Sequence, residues 1–313
     1  MNLKNKIIQL QEGDTGKIKV LISSSEKRKN DKGNSYLSLI VQDDTMSMDA
    51  KYWNLTDEQI AMFPAGTFAE AKYQILMHKA HLQMRIHDMK VITEDIDVTQ
   101  FVRSAPIQKD ELMNTIYDCI TRMKDQDLQL MTQTFINEYE EKYFTYPAAV
   151  KNHHNVAKGL AYHCYGMLKM ANTICELHPH LNADLLYAGI ILHDFGKLDE
   201  LSGAIAPQYT KEGKLIGHIS IMHGKMMQIQ ERFHLESENI LLLRHMILSH
   251  HGQFEFGSPV LPMIAEAEIL HYLDNLDARI NAIENALEGV AEGEFSPRIF
   301  ALENRSFYKQ KKS

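Results

Sequence analysis

The feature that most narrows the possible folds is a change in hydrophobic period near Val98. Between Thr15 and about Ile92, apolar and polar residues alternate in five short runs: GKIKVLIS, NDKGNSYLSLIVQD, SMDAKYW, TFAEAKYQILM and HLQMRIHDMKVI. A period of two marks strands, and five of them in so short a stretch suit a small closed barrel of the OB type. The segment Lys27-Arg28-Lys29-Asn30-Asp31-Lys32-Gly33-Asn34 reads as a basic hairpin loop, and Asp43-Asp44 as the next turn. Beyond Val98, Pro and Gly become scarce and apolar residues recur at helical spacing, first through ELMNTIYDCITRM and LQLMTQTFINEYEEKYF and then, from Asn155, along most of the chain. One helix is bounded by Asn182 as N-cap and Gly196 as a C-terminal stop, another follows Ser237, and a long one begins near Pro262. The expected architecture is two-domain α+β. A five-stranded OB-type barrel covers residues 1–95, a helical connector 96–150, an all-α bundle 151–290 and a packed C-terminal tail 291–313.

Composition excludes several classes. The 313 residues are 44% hydrophobic and 24% charged, as in globular protein rather than disorder. No stretch approaches the roughly 18 uninterrupted apolar residues of a membrane span, and the N-terminus has no apolar signal core, so no membrane association and a cytoplasmic location are expected. Three cysteines, Cys119, Cys164 and Cys175, without CxxC spacing give neither a disulfide framework nor a thiolate metal site. The net charge of −8 argues against a protein that coats duplex DNA by charge alone. That charge is uneven: residues 1–90 hold 13 Lys/Arg against 11 Asp/Glu, leaving 20 against 30 for the remainder. Histidine is skewed as well, with 13 of 16 lying between His153 and His271. Such clustering points to a metal site.

The chemistry centres on His193-Asp194, at the end of an apolar helix and followed by Phe195-Gly196-Lys197. A carboxylate beside so many apolar residues would cost several kcal/mol unless a cation, a hydrogen-bond network or exposure compensates. His163 lies 30 residues before His193, His218 lies 24 after Asp194, His250-His251 begin 32 further on, and Asp274 is 24 beyond His250. Imidazole and carboxylate suit Mn, Fe, Co, Ni or Zn, and a carboxylate can bridge two such ions. Adjacent residues on a helix point about 100° apart, so only one of His250 and His251 is expected to ligate at full strength. Spacing leaves Asp274 and Asp277 open as the final carboxylate.

The order His, His-Asp, His, His, Asp resembles the HD phosphohydrolase superfamily, in the form with a lysine three residues after the Asp. GLAYHCYGM, ILHDFGKLDEL, GHI, SHHGQFEFGSP, AEILHYLDNLDAR and the tail EFSPRIFALENRSFY are together similar to the YhaM-type 3′-5′ exoribonucleases of Gram-positive bacteria, which join an OB-fold to an HD domain. The resemblance runs over essentially the whole chain. It implies that His163, His193, Asp194 and Asp274 surround one metal and that Asp194 bridges to a second held by His218 and by His250 or His251. It favours Asp274 over Asp277, and it implies manganese and a Lys197 that faces the scissile phosphate. Bound metals neutralise phosphate and lower the pKa of water toward neutrality, and a lysine stabilises charge on the phosphoryl oxygens, so no protein nucleophile is required.

The activity so implied is metal-dependent 3′-5′ exonuclease hydrolysis of single-stranded RNA to nucleoside 5′-monophosphates, with Asp194 and Lys197 catalytic and single-stranded DNA as a second substrate. Lys27, Arg28, Lys29 and Lys32 are expected to meet phosphate, and Tyr36, Tyr52 and Trp53, ahead of Phe68 and Tyr73, to stack on bases. Each has an ordinary alternative, since loops are solvated and OB barrels bury aromatics. His153, His154, His178, His180, His234, His245 and His271 read as structural, with His223 a candidate supporting residue. In the tail, Arg298 and Arg305 are expected to fasten the segment, with contact to RNA as the alternative, and Phe295, Phe300, Phe307 and Tyr308 to anchor it. Two rival readings stand: a nucleotide or cyclic-dinucleotide phosphohydrolase, which would not need the barrel, and a nucleic-acid-binding regulator with a degenerate metal site. Subunit number, a homo-oligomer included, is open.

Overall fold

A computed structural model describes residues 6–78, 81–93, 96–148 and 156–312; His153 and His154 lie outside them. Two compact units are distinguished, Met1–Ser104 with Gly203–Gln208, and Ala105–Ser202 with Tyr209–Ser313.

In the first unit, β1 (Thr15–Lys29), β2 (Ser35–Gln42), β3 (Ser47–Trp53), β4 (Phe68–His78) and β5 (His81–Val91) close a barrel in the order β1-β2-β3-β5-β4. A short helix, α1 (Asp57–Ala61), joins β3 to β4, with Thr56 and Gln59 forming a reciprocal capping box. Closure depends on β1, which pairs with β4 from Thr15 to Leu21 and with β2 from Leu21 to Lys29. A register shift between Ile22 and Ser24 bends it from one neighbour to the other. The parallel β3–β5 pairing completes the ring, whose interior holds Val20, Ile22, Leu37, Leu39, Val41, Ala50, Tyr73, Ile75 and Met84. This is the five-stranded OB-like barrel that the alternation predicts.

Two local expectations are corrected here. Lys27, Arg28 and Lys29 are not in a loop: they end β1, opposite Leu37, Tyr36 and Ser35. The turn is confined to 30–34, where the Asn30 side chain accepts from the Lys32 and Asn34 amides and Gly33 takes φ +81°. Charge in the sequence reported exposure there, and an exposed strand end can carry charge without losing its ladder bonds. Tyr52 is not a surface ring, because strict alternation places it inward between Lys51 and Trp53. It is 9% exposed and meets Phe63 edge-on. Tyr73 is likewise core.

In the second unit, α2 (Lys109–Thr121) and α3 (Gln126–Tyr143) share one hydrophobic core with α4 (Gly159–Leu177), α5 (Ala183–Leu192), α8 (His218–Phe233), α9 (Glu238–Ser249) and α10 (Ala265–Leu287). Two short helices, α6 (Lys197–Glu200) and α7 (Lys211–Ile216), lie between α5 and α8. The central α5 buries Leu185, Leu186, Ile190, Ile191 and Leu192, and Asn182 caps it through the Leu185 amide as expected. Gly196 is not a left-handed stop, since its φ is −61°; its role is steric.

The tail folds as a small hairpin, with the Ser296 amide donating to the Phe307 carbonyl and Ile299 to that of Arg305. Lys309 Nζ donates to the Leu287 and Val290 carbonyls and so satisfies the end of α10. Leu302, only 2% exposed, is its buried anchor, whereas Phe300 is 86% exposed and is no anchor. Phe295 and Tyr308 pack on each other at 5.2 Å. Among the described residues no helix is long and apolar enough to cross a membrane.

Candidate metal centre

The turn between α5 and α6 is where apolar sequence delivers charged chemistry. Phe195 anchors it, 1% exposed and packed against Tyr143 at 5.5 Å, Phe135 at 5.1 Å and Tyr139 at 5.3 Å. With Phe195 fixed, His193 and Asp194 stay buried at the helix end rather than turning to solvent. Gly196 makes the next contact possible: a Cβ there would stand 2.1 Å from the His218 carbonyl oxygen, so only glycine lets the start of α8 approach this turn. On α4, Gly166 similarly leaves room for the Asp277 carboxylate, which an added Cβ would meet at 2.6 Å.

Imidazoles from four places converge on Asp194. The ligand atoms of Asp194, His218, His250 and His251 lie within 4.8 Å of one another, as do those of His163, His193 and Asp194. Asp194 therefore belongs to both groups. Its Oδ1 is 3.5 Å from His218 Nε2 and 3.8 Å from His250 Nε2, and its Oδ2 is 3.3 Å from His193 Nε2. His163 Nε2 is 3.2 Å from Asp274 Oδ1.

In each imidazole the other ring nitrogen is engaged. Nδ1 donates to the Ile190 carbonyl in His193 (2.8 Å), to that of Ile247 in His250 (2.7 Å) and to that of Phe256 in His251 (2.7 Å). In His163 it donates to Asp277 Oδ2 at 2.6 Å, and in His218 to Glu200 Oε1 at 3.2 Å. A proton held on Nδ1 leaves the Nε2 lone pair facing inward. Among the described residues His193 Nε2, Asp194 Oδ1, His218 Nε2 and His250 Nε2 are buried without a hydrogen-bond partner. Each such atom costs about 1–3 kcal/mol, and lone pairs aimed at a carboxylate repel. A cation removes both penalties, and ligand atoms about 2.0–2.2 Å from one ion stand at separations of this order. The donor set thus fits borderline divalent metal.

The same contacts set the charge states. Burial works to raise the Asp194 pKa, but Lys197 and then His193 hold it far below the usual carboxylate range. Lys197 Nζ lies 2.7 Å from Asp194 Oδ2, and that carboxylate keeps the ammonium charged against its own burial. Burial would also raise Asp274, yet the His163 hydrogen bond holds it low. For His163 burial works downward, and bonds to Asp274 and Asp277 raise it to about 10. His250 is pushed well down by burial and then by His251, so it is neutral. The site thus sets two fixed anions, Asp194 and Asp274, beside the neutral His250 and beside His163, whose charged form its two carboxylates favour.

The HD domain family model matches residues 160–279, which include every one of these candidate ligands. The chain is 43% identical over 305 residues to the 3′-5′ exoribonuclease YhaM of Geobacillus sp. (strain WCH70), covering 97% of this chain and 94% of the relative. It is 43% identical over 292 residues to YhaM of Bacillus subtilis (strain 168), covering 93% of each. The chain belongs to the YhaM 3′-5′ exoribonuclease family. It is accordingly an enzyme of the hydrolase class, as its motifs led us to expect. Among solved structures it is similar to the second OB-fold domain of replication protein A from Methanococcus maripaludis, at 21% identity over 29% of this chain and 97% of that one, with a TM-score of 0.23.

In this YhaM family member the structure brings His163, His193, Asp194, His218, His250, His251 and Asp274 together and separates the two carboxylates that spacing left open. Asp274 stands on the Nε2 side of His163 and Asp277 on its Nδ1 side. His250 and His251 both join the cluster, because α9 ends at Ser249 and Gly252, at φ +74°, turns the chain back. Sequence reasoning overlooked Glu200, which accepts from both the amide and Nδ1 of His218 and so fixes that side chain and the first turn of α8. His271, read as structural, donates from Nδ1 to the His250 carbonyl at 3.1 Å. His223 instead accepts from Arg244, at 3.1 Å from Nη2. The nucleic-acid candidates lie on the barrel. Tyr36 and Trp53 stack on its outer face at 4.1 Å, Lys27 pairs with Asp57 and Arg28 with Glu26, and Lys29 and Lys32 are exposed.

Proposed function

We propose that the protein is a metal-dependent exoribonuclease that hydrolyses the terminal phosphodiester at the 3′ end of single-stranded RNA and releases nucleoside 5′-monophosphates, with single-stranded DNA as a second substrate. The observation that carries this reading is the set of inward imidazole Nε2 atoms gathered around Asp194, each with its Nδ1 proton engaged elsewhere. His163, His193, Asp194 and Asp274 would hold one divalent ion and Asp194, His218, His250 and His251 another, with manganese favoured by the family. Such ions supply Lewis-acid charge for the phosphate and bring water within reach of deprotonation near neutral pH.

The chain's own residues do the rest. Asp277 and Glu200 fix the rings of His163 and His218, so the site is organised before substrate arrives. Lys197 keeps a positive charge beside Asp194, from which it can stabilise charge on the phosphoryl oxygens. On the barrel, Tyr36, Trp53, Lys29 and Lys32 offer rings and cations that suit a single strand of any sequence. A small nucleotide would need no such surface, which favours a polymer over the rival phosphohydrolase reading. The deciding experiment joins metal analysis of the purified protein to product sizing on a 3′-tailed RNA with added Mn²⁺. Stepwise shortening to mononucleotides with about two ions per chain is expected, and internal fragments or a metal-free active protein would overturn the proposal.

A further inference from the structure

The loop that follows His250-His251 is tightly built yet presents two bare aromatic rings. The Gly252 amide donates to Ser249 O at 2.8 Å, Phe256 to Gln253 O at 3.2 Å, Gly257 to Phe254 O at 3.0 Å and Ser258 to Gln253 O at 3.3 Å. Gly252 (φ +74°) and Gly257 (φ +95°) hold left-handed positions at its two ends, and a Cβ on Gly252 would strike the His271 ring at 2.4 Å. Despite this order, Phe254 is 60% and Phe256 58% exposed. Burying a phenylalanine is worth about 1.5–3 kcal/mol, and the folded chain forgoes that twice on one short segment. The backbone of the same segment reaches the metal centre directly, since the Phe256 carbonyl accepts the Nδ1 proton of His251 at 2.7 Å.

We infer that Phe254 and Phe256 form an aromatic platform beside the metal centre on which bases at the 3′ end of the RNA strand stack. This rests on the nuclease reading above and adds the subsite that grips the end of the strand. The ligand must offer flat π faces close to a phosphate, because the rings share a loop with a residue of the cation-binding cluster. Every base has such a face, so the grip is tolerant of sequence, as degradation from a strand end requires. Substituting either side chain leaves the Phe256 carbonyl, and with it the tether on His251, in place.

The test uses Phe254→Ala, Phe256→Ala and the double variant of the full chain. Substrates are one oligoribonucleotide with ordinary ends and one whose last two 3′ residues are abasic. On ordinary RNA each variant should raise KM about ten-fold with little change in kcat, and Phe256→Trp should restore it. On the abasic substrate the wild type should already show the raised KM, and the variants should add nothing. Metal content by mass spectrometry should match wild type throughout. An unchanged KM on ordinary RNA, or equal losses on both substrates, overturns the platform. Lost metal would reassign the rings to holding the loop, and a shift in sedimentation with unaltered RNA kinetics would reassign them to a contact between protein copies. A wild-type protein that fails to shorten RNA from its 3′ end fails the nuclease reading itself, which the variants cannot do.

Discussion

The metal centre and the outer face of the barrel hold functional side chains in opposite ways. Around Asp194 the imidazoles are buried or nearly so, each ring is pinned through Nδ1, and the opposite nitrogens of His193, His218 and His250 have no hydrogen bond among the described residues. On the barrel, Lys27 and Arg28 are exposed and already satisfied by Asp57 and Glu26 at 2.6 and 2.7 Å, and Tyr36 and Trp53 stack on each other. Exposed pairs of that kind are worth about 0–1 kcal/mol and yield readily to a ligand. The first arrangement is over-determined and intolerant; the second is adaptable and graded. Substitutions should therefore act nearly all-or-none in the helical unit and incrementally on the barrel.

The sharpest way to break this contrast is Asp194→Ala. It removes the one carboxylate common to both ligand groups, so loss of RNA hydrolysis should exceed the roughly 10–100-fold typical of losing a supporting partner. Bound metal measured by mass spectrometry should fall with it, and full activity would refute the shared-ligand picture. Next comes Lys197→Ala, which should lower kcat by about 10²–10³-fold, as removal of a preorganised charge donor does, while metal content stays near wild type. A metal-free Lys197→Ala protein would show that the ammonium maintains the site rather than serving the phosphate. Smaller again are Asp277→Ala and Glu200→Ala, each expected to weaken metal binding about 10–100-fold by calorimetric titration. Glu200→Ala should also lower the melting temperature, because Glu200 accepts the His218 amide at the start of α8 at 3.1 Å.

These supporting residues mark where the sequence stops being readable. The switch from strand to helix period and the rarity of His and Asp on apolar helices were legible, because burial imposes both. Spacing could not separate Asp274 from Asp277, though the family resemblance favoured Asp274, since residues three apart share a helix face and the ring orientation of His163 assigns one to each nitrogen. The His250-His251 argument assumed a continuing helix, and the helix ends one residue earlier. Glu200, in KLDE, carried no signal in the sequence, because its partner is 18 residues away and no local pattern joins them. Gly196 invited a conformational reading, yet its φ is ordinary and its lack of a side chain serves close packing. Period two could have told Tyr52 from Trp53, as Lys51 between Ala50 and Tyr52 already gives the outward phase.

That neighbouring pair supplies the mildest and most discriminating comparison. Trp53 lies on the outer face against Tyr36, whereas Tyr52, one residue earlier, fills the barrel interior. Trp53→Ala removes a ring that can leave Tyr36 and meet a base, and stacking is worth about 1–3 kcal/mol per base. Binding of long RNA, measured by fluorescence anisotropy, should weaken on the order of ten-fold, with cleavage of dinucleotides and the melting temperature near wild type. Tyr52→Ala should do the reverse, since truncating a buried aromatic costs about 3–5 kcal/mol of stability while leaving the outer face intact in whatever fraction remains folded. If Trp53→Ala instead melts the barrel without altering affinity per folded molecule, the outer stack is structural. The barrel would then join the metal centre among the parts of this molecule whose side chains are fixed by packing rather than held ready for a strand.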